Sequence, residues 1–502
     1  MHLPMYWMGH ASGFHLAGMP MDAGMLVGMF LIVAGIGAAA YGLLPRARRE
    51  QHVLAQRVSV HAPEDAPLSA AHWRLMAVLV IALVIDVMKP AALGFIMPGM
   101  VDEYGVAKRT ASLVPFFALV GTVAGSVVWG VIADIYGRKA SIMLSAVVFV
   151  GTSICGAMPS LAWNMGMCFL MGAGAGGMLP VTYALLAETM PSRHRGWALV
   201  LVGGLGAVGG YFAASGISAW LVPMLSWRIL WLINLPTGLL LIALGGLIPE
   251  SAKFLLSRGR AQEAHDVMAR FGTRTYRLSD PAADEGDILN HPLRSRAPPA
   301  ATASLWSRSL VGRTVALSIG AIAWGLINFG LLLWLPSALV ERGYSMEVSS
   351  RLLAESALIA VPTVFLCAFI YWRWSTRWSL VTLMLVTLAG LAWVLLLEVA
   401  PGTSPVLPVA LLIVGSNGLL AIMLPYTSES YPLKVRGRAT GWVAACTKGG
   451  GVIAQSLSIT ALVPPLGTAA LMVMVPVALS IVLIGIYGTE TRALDLRRLE
   501  SH

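Results

Sequence analysis

Residues 188–196 read Glu188-Thr-Met-Pro191-Ser-Arg-His-Arg195-Gly196, and residues 429–437 read Glu429-Ser-Tyr-Pro432-Leu-Lys-Val-Arg436-Gly437. Both follow the pattern E-x-x-P-x-x-x-R-G, and they lie 241 residues apart. Each comes directly after a long apolar run. A motif repeated at that spacing, at the end of comparable apolar segments, implies a chain built from two related halves.

The halves are made for lipid. Of 502 residues 57% are hydrophobic and 12% charged, with a mean hydropathy of +0.76. A soluble domain carries about 25% charged residues, so polar groups here are too few to coat a water-facing surface. Runs long enough to cross a ~30 Å hydrocarbon core, about 20 residues each, recur along the chain. They are too long and too uniformly apolar for barrel strands, so helices follow. Parallel repeats in such chains place a substrate site between the halves near the midplane.

Thirteen spans are expected. One extra helix covers 22–44. Six body helices lie near 75–98, 112–133, 141–158, 164–187, 197–218 and 229–248, and six more near 314–336, 352–371, 380–397, 407–428, 439–461 and 468–488. The expected domains are a Met/His-rich tail (1–21), the extra helix, a cytoplasmic linker (45–74), an N-terminal six-helix bundle (75–248), a central cytoplasmic loop (249–313), a C-terminal bundle (314–488) and a cytoplasmic tail (489–502). With the N-terminus outside, 27 of the 34 Lys and Arg fall in inner loops and five outside. That bias is the positive-inside pattern. It puts the C-terminus on the cytoplasmic side, and a plasma (inner) membrane is the expected location.

Several classes drop out. The net charge of +10 sits in short loops rather than on one basic face, so no nucleic acid is expected. The first Lys or Arg is Arg46, which argues against a signal peptide. The four cysteines lie in apolar runs without metal spacing. No phosphate-binding GK[ST] loop occurs, and the glycine run 172–177 lies within a span, so no nucleotide cofactor, catalytic residue or enzymatic role is expected.

At this point the chain resembles the major facilitator superfamily, in the branch of sugar porters, aromatic-acid/proton symporters, nicotinate porters and synaptic-vesicle-protein-like transporters. The resemblance rests on Gly130 to Lys139, with Asp134, Gly137 and Arg138; on Pro249-Glu250-Ser251 to Arg260; on Trp334-Leu335-Pro336; on Pro425 to Pro432; and on Gly488 to Arg492. It covers roughly 75–495 and implies an all-α fold of two six-helix bundles. It also implies alternating access driven by a proton gradient, with no cofactor. Three positions depart from the pattern. Cys168 stands where a basic residue is expected, Met178-Leu179 precede Pro180 where a carboxylate is often found, and 372–377 has lost the second copy of the 130–139 motif.

The resemblance assigns a cytoplasmic gate to Asp134, Gly137, Arg138, Glu188, Arg195, Glu429 and Arg436. The other reading of these charges is ordinary positive-inside loop charge. Charges inside spans are costly and usually face a partner or a cavity. Asp86 and Lys89 lie three apart in the first body helix, on one face. Lys448 precedes Gly449-Gly450-Gly451, where a backbone can approach a ligand closely. Asp86 is expected to couple protons, with Glu355 as a second site or an interfacial charge. Lys89 and Lys448 are expected to draw an anionic substrate, unless Asp86 and Lys89 only neutralise one another. Tyr183, Trp324, Asn328, Asn417 and Gln455 are candidate lining groups, or else helix-packing groups.

The expected function is secondary active, proton-coupled uptake of a small organic anion such as an aromatic or sugar acid. Alternatives are proton-coupled efflux of drugs or metabolites, and a non-transporting sensor. The tail carries His2, Met5, Met8, His10, His15, Met19 and Met21. Thioethers and imidazoles suit copper, so the tail is either a copper contact or a floppy end of a Met-rich chain.

Overall fold

The computed structural model describes residues 2–21, 23–43, 58–61, 67–277, 305–341, 343–399, 405–431, 433–460 and 465–492. Almost all of them are helical. The chain starts with α1 (His2–Met8) and the extra helix α2 (Ala23–Leu43). The first half then runs α3 (Ala70–Tyr104), α4 (Leu113–Tyr136), α5 (Arg138–Thr152), α6 (Leu161–Ala175), α7 (Met178–Thr189), α8 (Ser192–Leu225) and α9 (Asn234–Leu244). An amphipathic helix, α10 (Ala261–Phe271), precedes the second half. That half runs α11 (Val311–Leu326), α12 (Leu332–Glu341), α13 (Met346–Arg373), α14 (Thr376–Val399), α15 (Val406–Ser430), α16 (Leu433–Ile459) and α17 (Leu466–Tyr487).

Among the described residues, eleven helices are long and apolar enough to cross a membrane. The other two expected spans fall on α4 and α16, helices of 24 and 27 residues that are not among those eleven. Helix α2 exposes Phe30, Leu31, Val33 and Tyr41, as a lipid-facing helix must. It touches the body at Gly151 of α5, where an added Cβ would come within 2.8 Å of Ile32.

Three elements depart from the sequence reading, each for a local reason. The fourth body helix breaks between α6 and α7. There Gly176 and Gly177 press onto α4, and an added Cβ on Gly176 would lie 2.5 Å from the Ser126 amide. The seventh opens into a π-helical turn at Ile327–Leu331, between α11 and α12. The third lies in the expected central loop, whose start forms two helices, Ala252–Ser257 and α10, parted where Gly259 turns left-handed at φ +72°. A fourth feature was not foreseen. Strand β1 (Val58–His61), in the linker, pairs antiparallel with β2 (Arg274–Arg277) after α10, in the register Val58 to Arg277.

Small residues set the helix packing, as they must where lipid tails leave little hydrophobic drive between helices. The glycines of α8 lie against α3. A Cβ on Gly206 would reach Leu83 at 2.5 Å, and one on Gly210 would reach Val87 at 2.6 Å. Gly204 turns to the second half, toward Val364 of α13 at 2.6 Å. Helix α8 thus forms the seam between the halves. The seam is bridged at both ends. At the end carrying the repeat, a Cβ on Gly196 would lie 2.9 Å from the Tyr371 ring and 3.1 Å from the Glu429 carboxylate. At the far end, Ser112 and Ser458 hydroxyls meet at 2.5 Å, Ser218 and Ser350 at 3.0 Å, and Lys108 pairs with Glu341 at 2.8 Å.

The tail is folded, not floppy. Tyr6 and Phe14 stack with centroids 4.8 Å apart, Leu16 is fully buried, and the Tyr6 hydroxyl donates to the Leu225 carbonyl. Burial pushes the Tyr6 hydroxyl up to about 12, against the opposing pull of Arg228. The side chains of His2 and Met5 lie outside the described residues, and among those described no three His, Cys, Asp or Glu come together as a metal cluster.

Candidate functional site

Asp86 sits in mid-span on α3, 7% exposed, with Lys89 one turn later at 2%. Pro90 follows. It lacks the N–H that would bond the Asp86 carbonyl, which loosens the helix at this turn. One Asp86 carboxylate oxygen and the Lys89 ammonium have no hydrogen-bond partner among the described residues. The cations acting on Asp86 are Lys89 and, from the other half, Lys448. Such unsatisfied buried groups are costly and point to a working site.

Lys89 is not placed as its shared face with Asp86 implied. Its ammonium lies 2.9 Å from the centroid of Phe149 on α5. It lines a tight crevice with Met88, Ala92, Ala214 and Asn234, and every residue of that crevice belongs to the first half. The ammonium therefore faces the interior of its own half rather than the seam.

The second-half candidates converge on the π-helical turn. Phe329, in that turn, stands edge-on to Trp324 at 5.6 Å and lies 5.1 Å from the Lys448 ammonium. The Gln455 amide donates to the Phe329 carbonyl, while its own oxygen is unpartnered. The Asn328 amide reaches the Trp324 carbonyl at 3.5 Å, and the Trp324 indole donates to the Ser416 carbonyl, beside buried Asn417, at 2.8 Å. Two of the three glycines after Lys448 serve helix packing. An added Cβ on Gly450 would lie 3.0 Å from Gly325 Cα and one on Gly451 2.7 Å from the Phe329 ring, while Gly449 has open space at its Cβ. A π turn is often found at functional sites because it re-aims side chains. Phe329 is a residue that sequence reading missed, since nothing in an apolar run marks a π turn.

Two candidates stand apart. Tyr183 is buried on α7 beside Gly203 of α8, and its hydroxyl is unpartnered. Glu355 is exposed and paired with Arg351 at 3.0 Å, an arrangement that fits an interfacial charge.

At the repeat end, Gly137 takes φ +103°, and an added Cβ there would lie 2.6 Å from Glu250. Glu250 accepts from the backbone amides of Arg138 and Ser251 at 2.8 and 2.9 Å. Arg138 pairs with Glu188 at 3.5 Å, and Glu188 accepts from the Ser251 hydroxyl at 2.6 Å. Arg195 is buried. In the second half Glu429 accepts from Tyr371 at 2.6 Å and Thr491 at 3.1 Å. The side chains of Asp134 and Arg436 lie outside the described residues. Glu250, Tyr371 and Glu490 are further network members. Two of them stood within quoted motifs but had been given no role.

Two related halves, a seam bridged at both ends and buried charge between them define an alternating-access membrane transporter, not an enzyme. A family model described as Major Facilitator Superfamily matches residues 79–455. The chain belongs to that superfamily. It is similar to the niacin transporter NiaP of Acinetobacter baylyi, 26% identical over 400 residues, covering 78% of this chain and 87% of the relative. It is similar also to the 4-hydroxybenzoate transporter PcaK of the same organism, 26% identical over 415 residues, covering 80% and 88%. Among solved structures, the proton:xylose symporter XylE bound to 6-bromo-6-deoxy-D-glucose shares the fold. Its TM-score is 0.68 at 15% identity, covering 86% of this chain and 99% of that one.

Proposed function

We propose that this chain takes up a small aromatic carboxylate together with protons, by alternating access across the plasma membrane. The observation that carries the reading is the buried Asp86 carboxylate, with an unpartnered oxygen, set against Lys448 across the seam. Niacin and 4-hydroxybenzoate, named for the two relatives, are flat rings bearing a carboxyl group. Lys448 beside Phe329 and Trp324 offers a cation next to aromatic faces, which suits such a molecule. Lys448 binds the substrate carboxylate, and Asp86 takes the proton. Lys89 acts from inside its own half as the counter-charge of Asp86 and does not touch substrate.

In this reading the repeat end is cytoplasmic, the far end and the tail are outside, and the C-terminus is cytoplasmic. Asp134, Gly137, Arg138, Glu188, Arg195, Glu429 and Arg436 form the inner gate together with Glu250 and Tyr371. The seam contact of Gly196 with Tyr371 and Glu429 breaks when the inside opens. The test is proton entry into proteoliposomes loaded with a pH dye, on adding nicotinate, 4-hydroxybenzoate, gluconate, glucose or a cationic drug, because one proton carried with one carboxylate moves no net charge. Proton entry with the aromatic acids alone, abolished by Asp86→Asn, supports uptake with protons. Proton movement with the cationic drug alone would replace this reading with efflux, and binding of an acid without any flux would favour a sensor.

A further inference from the structure

Helix α3 ties the first half together at each end through one buried side chain. At the far end Glu103 pairs with Arg228 at 2.6 Å and accepts from the Leu16 amide at 2.7 Å. At the repeat end the tie is His72, 1% exposed in the first turn of α3. Its Nδ1 accepts from the Ser69 backbone amide at 3.0 Å and lies 2.9 Å from the Ser69 hydroxyl, closing a capping box at the start of the helix. Its Nε2 donates to the Thr189 carbonyl at 3.2 Å, and Phe271, the last residue of α10, stands edge-on to the ring at 5.2 Å. One imidazole thus joins the start of α3, the end of α7 and the end of α10. The carbonyl it holds is one that a helix C-terminus leaves without a partner of its own. Thr189 closes α7 between Glu188, paired with Arg138 at 3.5 Å, and the turn into α8 that carries Gly196 to the seam.

The hydrogen bonds fix the charge of the ring. A backbone N–H only donates, so the Nδ1 facing Ser69 carries no proton, and Nε2 holds the one N–H of a neutral imidazole. A second proton on Nδ1 would set donor against donor at 3.0 Å. It would also place a cation in the first turn of α3, at the positive end of the helix dipole. The packed elements bring no carboxylate free to hold such a cation among the described residues. His194 of α8 acts on the ring through its own charge. Glu188 of α7 is taken up by Arg138 and Ser251, and Glu263 of α10 by Arg260. Arg74 of α3 and Asp266 and Arg270 of α10 are exposed.

We propose that His72 is a positioning residue of the inner gate, and that a proton reaching it from the cytoplasm releases that gate. Neutral His72 fixes the end of α7, and with it Glu188 and the turn that brings Gly196 to Tyr371 and Glu429. A proton on Nδ1 parts the ring from Ser69 and loosens its hold on Thr189. The inner contact then closes poorly and turnover slows. Because uptake delivers protons to this face, the latch is a brake on acidification. The proposal rests on the inner-gate reading above.

The test uses the full-length protein in nanodiscs and in proteoliposomes, wild type beside His72→Gln and His72→Ala. Glutamine supplies an acceptor and a donor without titrating, and it is a usual capping-box partner at this position. Hydrogen–deuterium exchange of peptides covering 67–75 and 186–196 is compared at about pH 7.5 and about pH 5.5, either side of the usual histidine value of about 6.5. After correction for intrinsic rates, exchange at the lower pH should be at least fivefold faster in wild type and show no step in His72→Gln. In His72→Ala it should be fast at both. Nicotinate counterflow, with equal pH on both sides, removes the gradient and the effect of orientation. Acid should slow it at least threefold in wild type and not in His72→Gln. The same step in wild type and His72→Gln, or no step in either, overturns the latch. A His72-dependent step in exchange with no change in counterflow overturns its part in the gate. If wild type carries no nicotinate, the exchange data alone decide the latch, so its failure and that of the transport reading are distinguishable.

Discussion

Glu250 and Glu490 do the same work 240 residues apart. Glu250 accepts from the backbone amide of Arg138, the first residue of α5, at 2.8 Å. Glu490 accepts from that of Thr376, the first residue of α14, at 2.9 Å. A carboxylate at a helix N-terminus meets free N–H groups and the positive end of the helix dipole. The second half has lost the sequence motif of the first, yet it keeps this cap.

The two caps differ in their surroundings, which gives a pH prediction. Burial pushes the Glu250 carboxyl up, and this outweighs the amides of Ser251, Lys139 and Arg138 and the charge of Arg138. Burial also pushes on Glu490, but hydrogen bonds from Ser375, Thr376 and Arg492 outweigh it and hold that carboxyl below its usual range. A raised carboxyl loses stability as pH rises through the usual carboxylate value of about 4.3 toward its own. A lowered one contributes fully above about 4.3 and loses that contribution as pH falls through its own value. Melting temperatures across pH should therefore show Glu250→Gln gaining on wild type as pH rises, and Glu490→Gln losing. Parallel curves for both variants would contradict this.

Substitutions at the two lysines should separate their roles. Lys448→Met should raise KM for an aromatic acid tenfold or more, because it removes the cation beside Phe329. Lys89→Met leaves Asp86 buried without its internal counter-charge, so a lower melting temperature is expected. Its KM should stay within about threefold of wild type, while the pH dependence of uptake shifts because Asp86 has lost its internal counter-charge. A tenfold KM increase in Lys89→Met would return that residue to the substrate.

The buried pair at the far end should be costly to break singly. Arg228→Met leaves Glu103 buried without its cation, a change worth about 3–5 kcal/mol. Glu103→Gln on top of it should recover part of the loss, as a double-mutant cycle in chemical unfolding would reveal.

Gly450→Ala tests the contact of α16 with α11. Backbone on both sides, Gly325 Cα and the Ile322 carbonyl carbon each 3.0 Å from the added Cβ, cannot yield as a side chain would. A loss of about 1–3 kcal/mol is expected from overpacking, read as a lower melting temperature. Gly449→Ala, with nothing near its Cβ, should be neutral.

Much of this protein is legible from sequence because lipid leaves few choices. Backbone groups without water must bond within helices, so apolar runs fix the spans, and charged loops mark the motif ends. The repeat at Glu188 and Glu429 places two halves, and the charges at 86, 89 and 448 stand out because they are expensive where they lie. What the tertiary structure decided is direction and company. Three-residue spacing puts Asp86 and Lys89 on one face, but packing against Phe149 turns the lysine inward. Nothing local announces the π turn that gathers Trp324, Phe329, Lys448 and Gln455, since it arises where α11 meets the glycines of α16. The tail's Met and His content suggested metal or disorder. Its actual place depends on Glu103 and Arg228, more than 80 and 200 residues away, and contacts at that range exist only once the helices have packed.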